Sequence, residues 1–448
     1  MRILIVGAGN AGVQVAVRLY EEKHSLVMVD MDPDALAAAE ARLDVMTVHG
    51  SGSDPLTLQS AEVEKCQLVV AVTDCDEVNI LACLYARAAG VDRTVARVAN
   101  ACYINDVPEF SLKEMGIDLV INHKQECASE FLTRVQMPAA VEAFYLFDGQ
   151  LMVAGFKLDA GSRVVGRSLA DFPEPDLLKA NRVIALNRSE KLIVPHGDTV
   201  FETGDTIYLV GTKRDVAAFA DRVCEQYKPY RKVIVAGGGD VGLMLAKMLE
   251  EQGLDCVLLE QDEERAMLCS GALKKTLVLR ADALAESTFD EAGLTNDTAF
   301  VAVTGDDENN IMNCLMARKK GAAFTATQIR RSDYQSVVES LKLVDRIVNP
   351  YTSMTHGIIH YLRRRNVRAA SLLHNLAGEL LDVVLDDGSE FGGREIQDIR
   401  LPRKSIIVTV LRSGKILPAV GSLTLQVGDR LLIFAHHDAV KRLQSMFI

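Results

Sequence analysis

A glycine-punctuated strand-to-helix signature occurs twice in this chain, in a single register, 230 residues apart. The first copy is Arg2-Ile-Leu-Ile-Val-Gly-Ala-Gly-Asn-Ala-Gly12, an apolar run entering G-x-G-x-x-G, and the next apolar run ends on Asp30. The second is Lys232-Val-Ile-Val-Ala-Gly-Gly-Gly-Asp-Val-Gly242, and its next apolar run ends on Glu260. Each acid stands 18 residues beyond the last glycine of its copy. Further on, Val69-Val-Ala-Val-Thr-Asp-Cys-Asp-Glu-Val-Asn-Ile80 returns as Phe300-Val-Ala-Val-Thr-Gly-Asp-Asp-Glu-Asn-Asn-Ile311, now offset by 231, so one residue has been inserted in between. One such glycine motif is weak, because glycine turns follow many strands. Two in register, each with its acid equally spaced, specify a duplicated nucleotide-binding βαβ unit.

The chemistry behind the spacing is phosphate and ribose recognition. Gly7 allows the tight strand-to-helix turn, Gly9 lets backbone approach a pyrophosphate, and Gly12 lets the helix pack closely on its strand. The helix N-terminus then presents free N–H groups and a partial positive charge to the phosphates. Asp30 and Glu260, at second-strand ends, are placed to accept from ribose hydroxyls. A carboxylate there repels a 2′-phosphate, which favours NAD(H) or an adenine nucleotide over NADP(H).

A chain of 448 residues exceeds what one core supports, so several domains are expected. Its 49% hydrophobic and 25% charged content is that of a soluble globular protein. No apolar run approaches 18 residues, so no membrane insertion is predicted. The fingerprint strand begins at residue 2, so no secretory signal is expected. Nine cysteines, none in C-x-x-C, read as reduced thiols, and a cytoplasmic location is expected. Net charge is −12, from 49 basic against 61 acidic residues, which excludes a nucleic-acid partner. The same charge suits docking against a membrane protein with basic cytoplasmic loops.

The period of the chain divides it into lobes. Residues 1–124 alternate strands (Arg2–Val6, Leu26–Asp30, Val45–His49, Leu68–Thr73, Thr94–Val98, Leu119–Ile121) with helical stretches, which predicts an α/β doubly wound parallel sheet. A helical connector is predicted over 125–147, amphipathic through Phe131, Leu132, Val135 and Met137. A small α+β lobe follows over 148–228, with short strands at Val153–Leu158, Arg182–Asn187, Lys191–Pro195 and Thr206–Val210. The second half repeats this plan as a nucleotide lobe over 231–350, a helical connector over 351–368 and a small lobe over 369–448. Gly393-Arg-Glu-Ile echoes Gly166-Arg-Ser-Leu, and Gly428-Asp429 echoes the Gly204-Asp205 turn.

Two Rossmann-like lobes with V-A-V-T leading into D-E-x-N, each trailed by a small lobe with a G-D turn, resemble the TrkA family. These are regulatory subunits of bacterial Trk potassium uptake systems, built from tandem RCK (KTN) domains, and the resemblance covers essentially the whole chain. It implies a nucleotide-sensing homotetramer that gates a membrane K⁺ translocating subunit, TrkH or TrkG, and sits on the inner face of the cell membrane through that partner. It implies NAD(H) as ligand, with ATP and ADP as further candidates. Carried over residue by residue, the first site uses Gly7, Ala8, Gly9, Asn10, Ala11, Gly12, Asp30, Gly50, Ser51, Thr73, Asp74 and Arg97. The second uses Gly237, Gly238, Gly239, Asp240, Val241, Gly242, Glu260, Ala281, Asp282 and Thr304. The second copy departs from the first in ways that weaken phosphate binding: the Asp240 carboxylate is expected to face phosphate, Ala281 replaces the counterpart of Gly50, and Gln328 stands where the first half has Arg97.

Other patterns have plainer accounts. Thr73-x-x-Asp76, Asp74-x-x-Glu77 and Thr304-x-x-Asp307 fit helix N-capping. His356 and His360 have i, i+4 spacing but lack a third ligand, so no metal is expected. Cys75 is expected as a small buried thiol at a helix start. An NAD-dependent oxidoreductase is the alternative function, and it needs an acid or base beside the nicotinamide. Residues 152–227 offer one histidine, His196, and no catalytic residue is predicted. A third alternative is a scaffold with vestigial nucleotide sites.

Overall fold

The computed structural model describes residues 1–104, 111–147, 149–224, 230–362, 368–372, 378–389 and 391–447. It regroups the four lobes into two compact units. One is Met1–Leu132 with Tyr230–Tyr361, and the other is Thr133–Pro229 with Leu362–Ile448. Like lobes thus share a unit although they are far apart in sequence.

The first nucleotide lobe is built on β1 (Arg2–Val6), β2 (Ser25–Asp30), β3 (Met46–His49), β4 (Leu68–Ala71), β5 (Arg93–Arg97) and β6 (Leu119–Ile121), in spatial order β3-β2-β1-β4-β5-β6. All pairings are parallel. Ile3, Leu4, Ile5 and Val6 are buried, as are Leu68 to Ala71, which explains why these strands read as unbroken apolar runs. A parallel sheet covered by helices on both faces leaves no solvent side on which polar residues could alternate. The order reverses between β1 and β4, and that switch point opens the crevice in which such sheets bind ligands.

The connector differs from expectation. The helix runs His123–Gln136 and stops, and Ala140–Leu146 is a strand, β7, antiparallel to β8 (Leu151–Lys157). Pro138 bars the residue before it from helical geometry, and the aromatic-rich Ala140-Val-Glu-Ala-Phe-Tyr-Leu146 suits a pleated surface. Phe131, Val135 and Met137 are buried, as the amphipathic pattern required.

With β9 (Arg182–Arg188), β10 (Lys191–Ile193) and β11 (Thr206–Gly211), these strands form a five-stranded sheet, β10-β9-β11-β8-β7, antiparallel throughout. The second nucleotide lobe repeats the first with β12 (Lys232–Ala236), β13 (Asp255–Glu260), β14 (Leu277–Arg280), β15 (Thr298–Ala302), β16 (Phe324–Gln328) and β17 (Arg346–Val348) in the same order. The helix Pro350–Leu362 follows it. The second small lobe repeats the antiparallel order with β18 (Arg368–Leu372), β19 (Gly378–Val384), β20 (Ser405–Arg412), β21 (Lys415–Pro418) and β22 (Arg430–His436). Leu151, Val153, Ile184 and Tyr208 of one small lobe share a buried cluster with Leu380, Val408, Leu432 and Phe434 of the other.

The repeated G-D turn has a specific cause. Gly204 (φ +90°) and Gly428 (φ +86°) take left-handed backbone, and the aspartate that follows is 1% exposed in both lobes. Asp205 accepts from Arg188 Nε at 2.8 Å and Nη2 at 2.7 Å, and from the Glu202 N–H at 2.9 Å. Asp429 holds Arg412 Nε and Nη2 at 2.8 Å and the Gln426 N–H at 2.8 Å. A bidentate guanidinium–carboxylate pair of this kind joins the turn to the strand beside it. We expect Asp205→Ala to lower urea-unfolding stability by about 1–3 kcal/mol, because Arg188 then keeps only part of its hydrogen bonding. Asp198→Ala, on an exposed turn, should stay within about 0.5 kcal/mol of the parent. Equal midpoints for the two variants would refute the assigned role.

Candidate functional site

The first crevice is framed by glycine geometry. Gly7 has φ +110°, and a Cβ there would lie 3.1 Å from the Thr73 nitrogen. A Cβ on Gly12 would lie 1.8 Å from the Gly7 carbonyl oxygen, so only glycine lets the helix Asn10–Glu21 start against its turn. A Cβ on Gly9 would meet nothing within 4 Å. Nothing inside the protein requires glycine at position 9, and the open space beside it is where backbone can approach a pyrophosphate. Ala8 and Asn10–Ala11 complete the turn and first helical residues, so the helix N-terminus faces this space.

Asp30 at the end of β2 is fixed before any ligand arrives. Its Oδ2 accepts from the Ala8 N–H at 2.5 Å and its Oδ1 from the Asp32 N–H at 2.8 Å. Each carboxylate oxygen keeps acceptor capacity for ribose hydroxyls. Gly50 (φ +156°) donates its N–H to the Asp30 carbonyl at 2.9 Å, and a Cβ there would strike the Thr57 hydroxyl at 2.4 Å. Ser51 hydrogen-bonds Ser53 through its hydroxyl at 2.9 Å.

The opposite wall is held by a residue the sequence reading passed over. Asn79, fully buried, accepts from the Thr73 N–H at 2.9 Å and hydroxyl at 2.7 Å, and donates to the carbonyls of Thr73 and Arg97 at 2.9 Å. It ties the end of β4 to the end of β5. Asn310 does the same for Thr304 and Gln328. Its signal was the asparagine shared by both D-E-x-N copies.

The capping expectation is corrected here. The Asp76 carboxylate accepts from the Ala99 and Asn100 N–H groups, and that of Asp307 from Arg330 and Arg331, so each pins the loop after the fifth strand. Capping falls to Asp306 in the second lobe, which accepts from the Asn309 N–H at 2.7 Å. Cys75 is exposed rather than buried, with its thiol 3.2 Å from Glu77 Oε2. The His360 side chain lies outside the described residues, and no metal-holding group of three or more His, Cys, Asp or Glu occurs among those described.

Arg97 is buried rather than free in the crevice. Its Nη1 pairs with Asp74 at 2.9 Å, and its Nε donates to His123 Nδ1 at 3.2 Å. His123 in turn lies parallel to the Tyr351 ring of the second half, 6.5 Å between centroids. Burial and the neighbouring Arg97 push the His123 pKa down to about 3, so the ring is neutral and accepts. The Asp74–Arg97 pair is thus linked through His123 to a ring of the other lobe.

The second crevice has the same frame. Gly237 has φ +109°, a Cβ on Gly242 would lie 1.9 Å from the Gly237 oxygen, and Gly239 faces open space. Glu260 accepts from the Gly238 N–H at 2.7 Å and the Asp262 N–H at 2.9 Å. The Ala281 N–H donates to the Glu260 carbonyl at 3.0 Å, the role of Gly50, while Asp282 holds the Leu284 N–H at 2.9 Å. Val241 lies in the first turn of the helix Asp240–Glu251. Asp240 does not present a bare charge to a phosphate: Lys124 Nζ of the first lobe lies 2.5 Å away and Arg265 Nη2 2.6 Å away, and these cations hold its carboxyl below the usual range. Arg265 also donates through Nε to the Gly238 carbonyl at 2.7 Å. At offset 230 the first lobe has Asn10 and Ala35 in place of Asp240 and Arg265. Sequence reasoning missed Lys124 and Arg265, and comparison of the two copies at fixed offset was the signal for the latter.

Two doubly wound sheets with an acid at each second-strand end, and two antiparallel lobes trailing them, define a duplicated protein built on the Rossmann-like frame of nucleotide-binding domains. The TrkA-N domain family matches residues 3–123 and 233–350, and the TrkA-C domain family matches 153–223 and 380–448. The chain is 31% identical to the Trk system potassium uptake protein TrkA of Azorhizobium caulinodans over 100% of its own length and 98% of that protein's. It is 30% identical to that of Halomonas elongata, covering 97% and 95%. Among solved structures, the GsuK channel aligns with TM-score 0.64 at 19% identity over 99% of this chain and 78% of that one. The GsuK channel bound to NAD aligns with TM-score 0.61 at 19% identity, covering 100% and 78%. The chain belongs to the TrkA family.

The buried imidazole gives a pH prediction. His123 titrates near 6.5 when unfolded and near 3 when folded, so between those values the unfolded chain binds the proton the folded one refuses. Stability therefore falls as pH drops from about 6.5 toward 3, by at most about 1.4 kcal/mol per pH unit from this group. His123→Gln should flatten the dependence of the urea midpoint between about pH 6.5 and 5, and an unchanged slope would contradict a neutral buried ring.

Proposed function

We infer that this chain is the nucleotide-sensing regulatory subunit of a Trk-type potassium uptake system, without enzymatic turnover of its own. Its first lobe binds NAD(H), and adenine nucleotides such as ATP and ADP compete there. The observation that carries this reading is the open phosphate space beside Gly9, with the Asp30 carboxylate already held by two backbone N–H groups. Two acids of this crevice are held in position: Asp74 pairs with Arg97, and Asp76 accepts from backbone N–H groups. Both relatives above are named as Trk potassium uptake proteins, and one solved neighbour is described as bound to NAD.

The mechanism is ligand-biased coupling. A nucleotide that binds one arrangement of the Arg97–His123–Tyr351 contact better than another shifts their populations by its difference in affinity. Among the described residues no helix is long and apolar enough to cross a membrane, so action on ion flux requires a membrane K⁺-transporting partner of the TrkH or TrkG type. An acidic protein held to basic cytoplasmic loops by that partner, as a homotetramer, is the assembly this reading implies.

Asp30→Ala should weaken NAD(H) binding roughly ten- to a hundredfold, the loss of about 1.5–3 kcal/mol from charged-acceptor hydrogen bonds. Glu260→Ala should change NAD(H) affinity far less, and equal losses in calorimetric titration would refute that asymmetry. In vesicles carrying the K⁺-transporting subunit, added protein should make flux nucleotide-dependent. Steady hydride transfer to a small alcohol or hydroxy acid, with no capture of that subunit, would return the question to an oxidoreductase.

A further inference from the structure

We propose that the second lobe is a nucleoside site, taking adenosine in preference to a dinucleotide or polyphosphate; this rests on the reading of both crevices as nucleotide sites. The crevice encloses a cavity of about 430 Å³ bordered by Glu260, Ala281, Leu284, Asn309 and Asn313. That is at the small end of ligand cavities, which span roughly 300–1,000 Å³.

An unpartnered buried group points to the occupant. Asn313 is 2% exposed, lines this cavity, and its Oδ1 has no hydrogen-bond partner among the described residues. A buried amide oxygen left bare is costly, and a ligand donor relieves it. Asn309 lies one helical turn earlier on the same face of Asp307–Lys319 and lines the same cavity. Their counterparts at offset 231 are Val78 and Ala82, which give the first lobe an apolar wall. A carboxamide carries a donor and an acceptor side by side, the complement of an adenine edge. Glu260 faces the same cavity with both oxygens preset by backbone, as a ribose requires.

The phosphate end is engaged by the protein itself. The two cations beside the second glycine turn, Lys124 and Arg265, are both bound to Asp240, so an incoming pyrophosphate competes with that carboxylate for them. In the first lobe Asn10 and Ala35 impose no such competition.

The test is calorimetric titration of the full chain with adenosine, ADP and NAD⁺, carrying Asp30→Ala so that the first site is weakened and the tighter adenosine event reports the second. Adenosine should bind at one site per chain, about tenfold or more tighter than NAD⁺. N313A should weaken adenosine about tenfold, and N309V, at an exposed position, should weaken it in the same direction if N313A disturbs folding. D240N should narrow the gap by raising ADP affinity relative to adenosine. Absence of adenosine binding in the Asp30→Ala chain, NAD⁺ bound as tightly as adenosine, or adenosine affinity untouched by both asparagine variants would overturn the proposal. Loss of every nucleotide from the unmodified chain would instead sink the underlying reading.

Discussion

The close approach of each first helix to its glycine turn is the constraint on which the rest of the nucleotide unit depends. With a Cβ on Gly12 or Gly242 placed 1.8–1.9 Å from a carbonyl oxygen, no other residue lets the helix begin there. That start aims the helix N-terminus into the switch-point crevice and brings the Ala8 or Gly238 N–H onto the acid at the second-strand end. Backbone donors thus preset the ribose acceptor, so little of it has to be ordered when a ligand binds.

On this shared frame the two sites have diverged by single substitutions at matched positions. The first has Asn10, Ala35, Gly50 and Arg97 where the second has Asp240, Arg265, Ala281 and Gln328. The Lys124–Asp240 bridge joins the lobes, but with side chains 32% and 47% exposed it is worth only about 0–1 kcal/mol. Its consequence lies in position rather than stability, since it occupies the cations at one phosphate end. The Arg97–His123–Tyr351 contact is the buried counterpart on the other side, and its neutral imidazole avoids placing a second cation beside a guanidinium.

Much of this was legible from spacing. Unbroken apolar strands, glycines before helices and acids at strand ends are local signals of a parallel sheet, and the strand positions fall within a residue or two of expectation. The G-D echo was visible as a repeat, although its cause, a buried aspartate gripping an arginine from another strand, was not. Ala140–Leu146 was misread as helix because its apolar spacing fits either period, and the partner that makes it a strand is β8. The Asp76 and Asp307 carboxylates matched a capping pattern, yet they reach loops 23 residues away.

The sequence by itself determined the duplicated frame: two Rossmann lobes, two ribose acids, the altered second glycine turn and the family resemblance. These follow from short-range rules of backbone sterics and strand period, which act over a few residues. Only the tertiary structure decided what the charged groups do. Asp240 meets Lys124 across 116 residues, Arg97 meets His123 across 26, and the Asn313 Oδ1 has no hydrogen-bond partner among the described residues beside a cavity. Such partnerships depend on which side chains the fold brings within about 3 Å, and on which it removes from water.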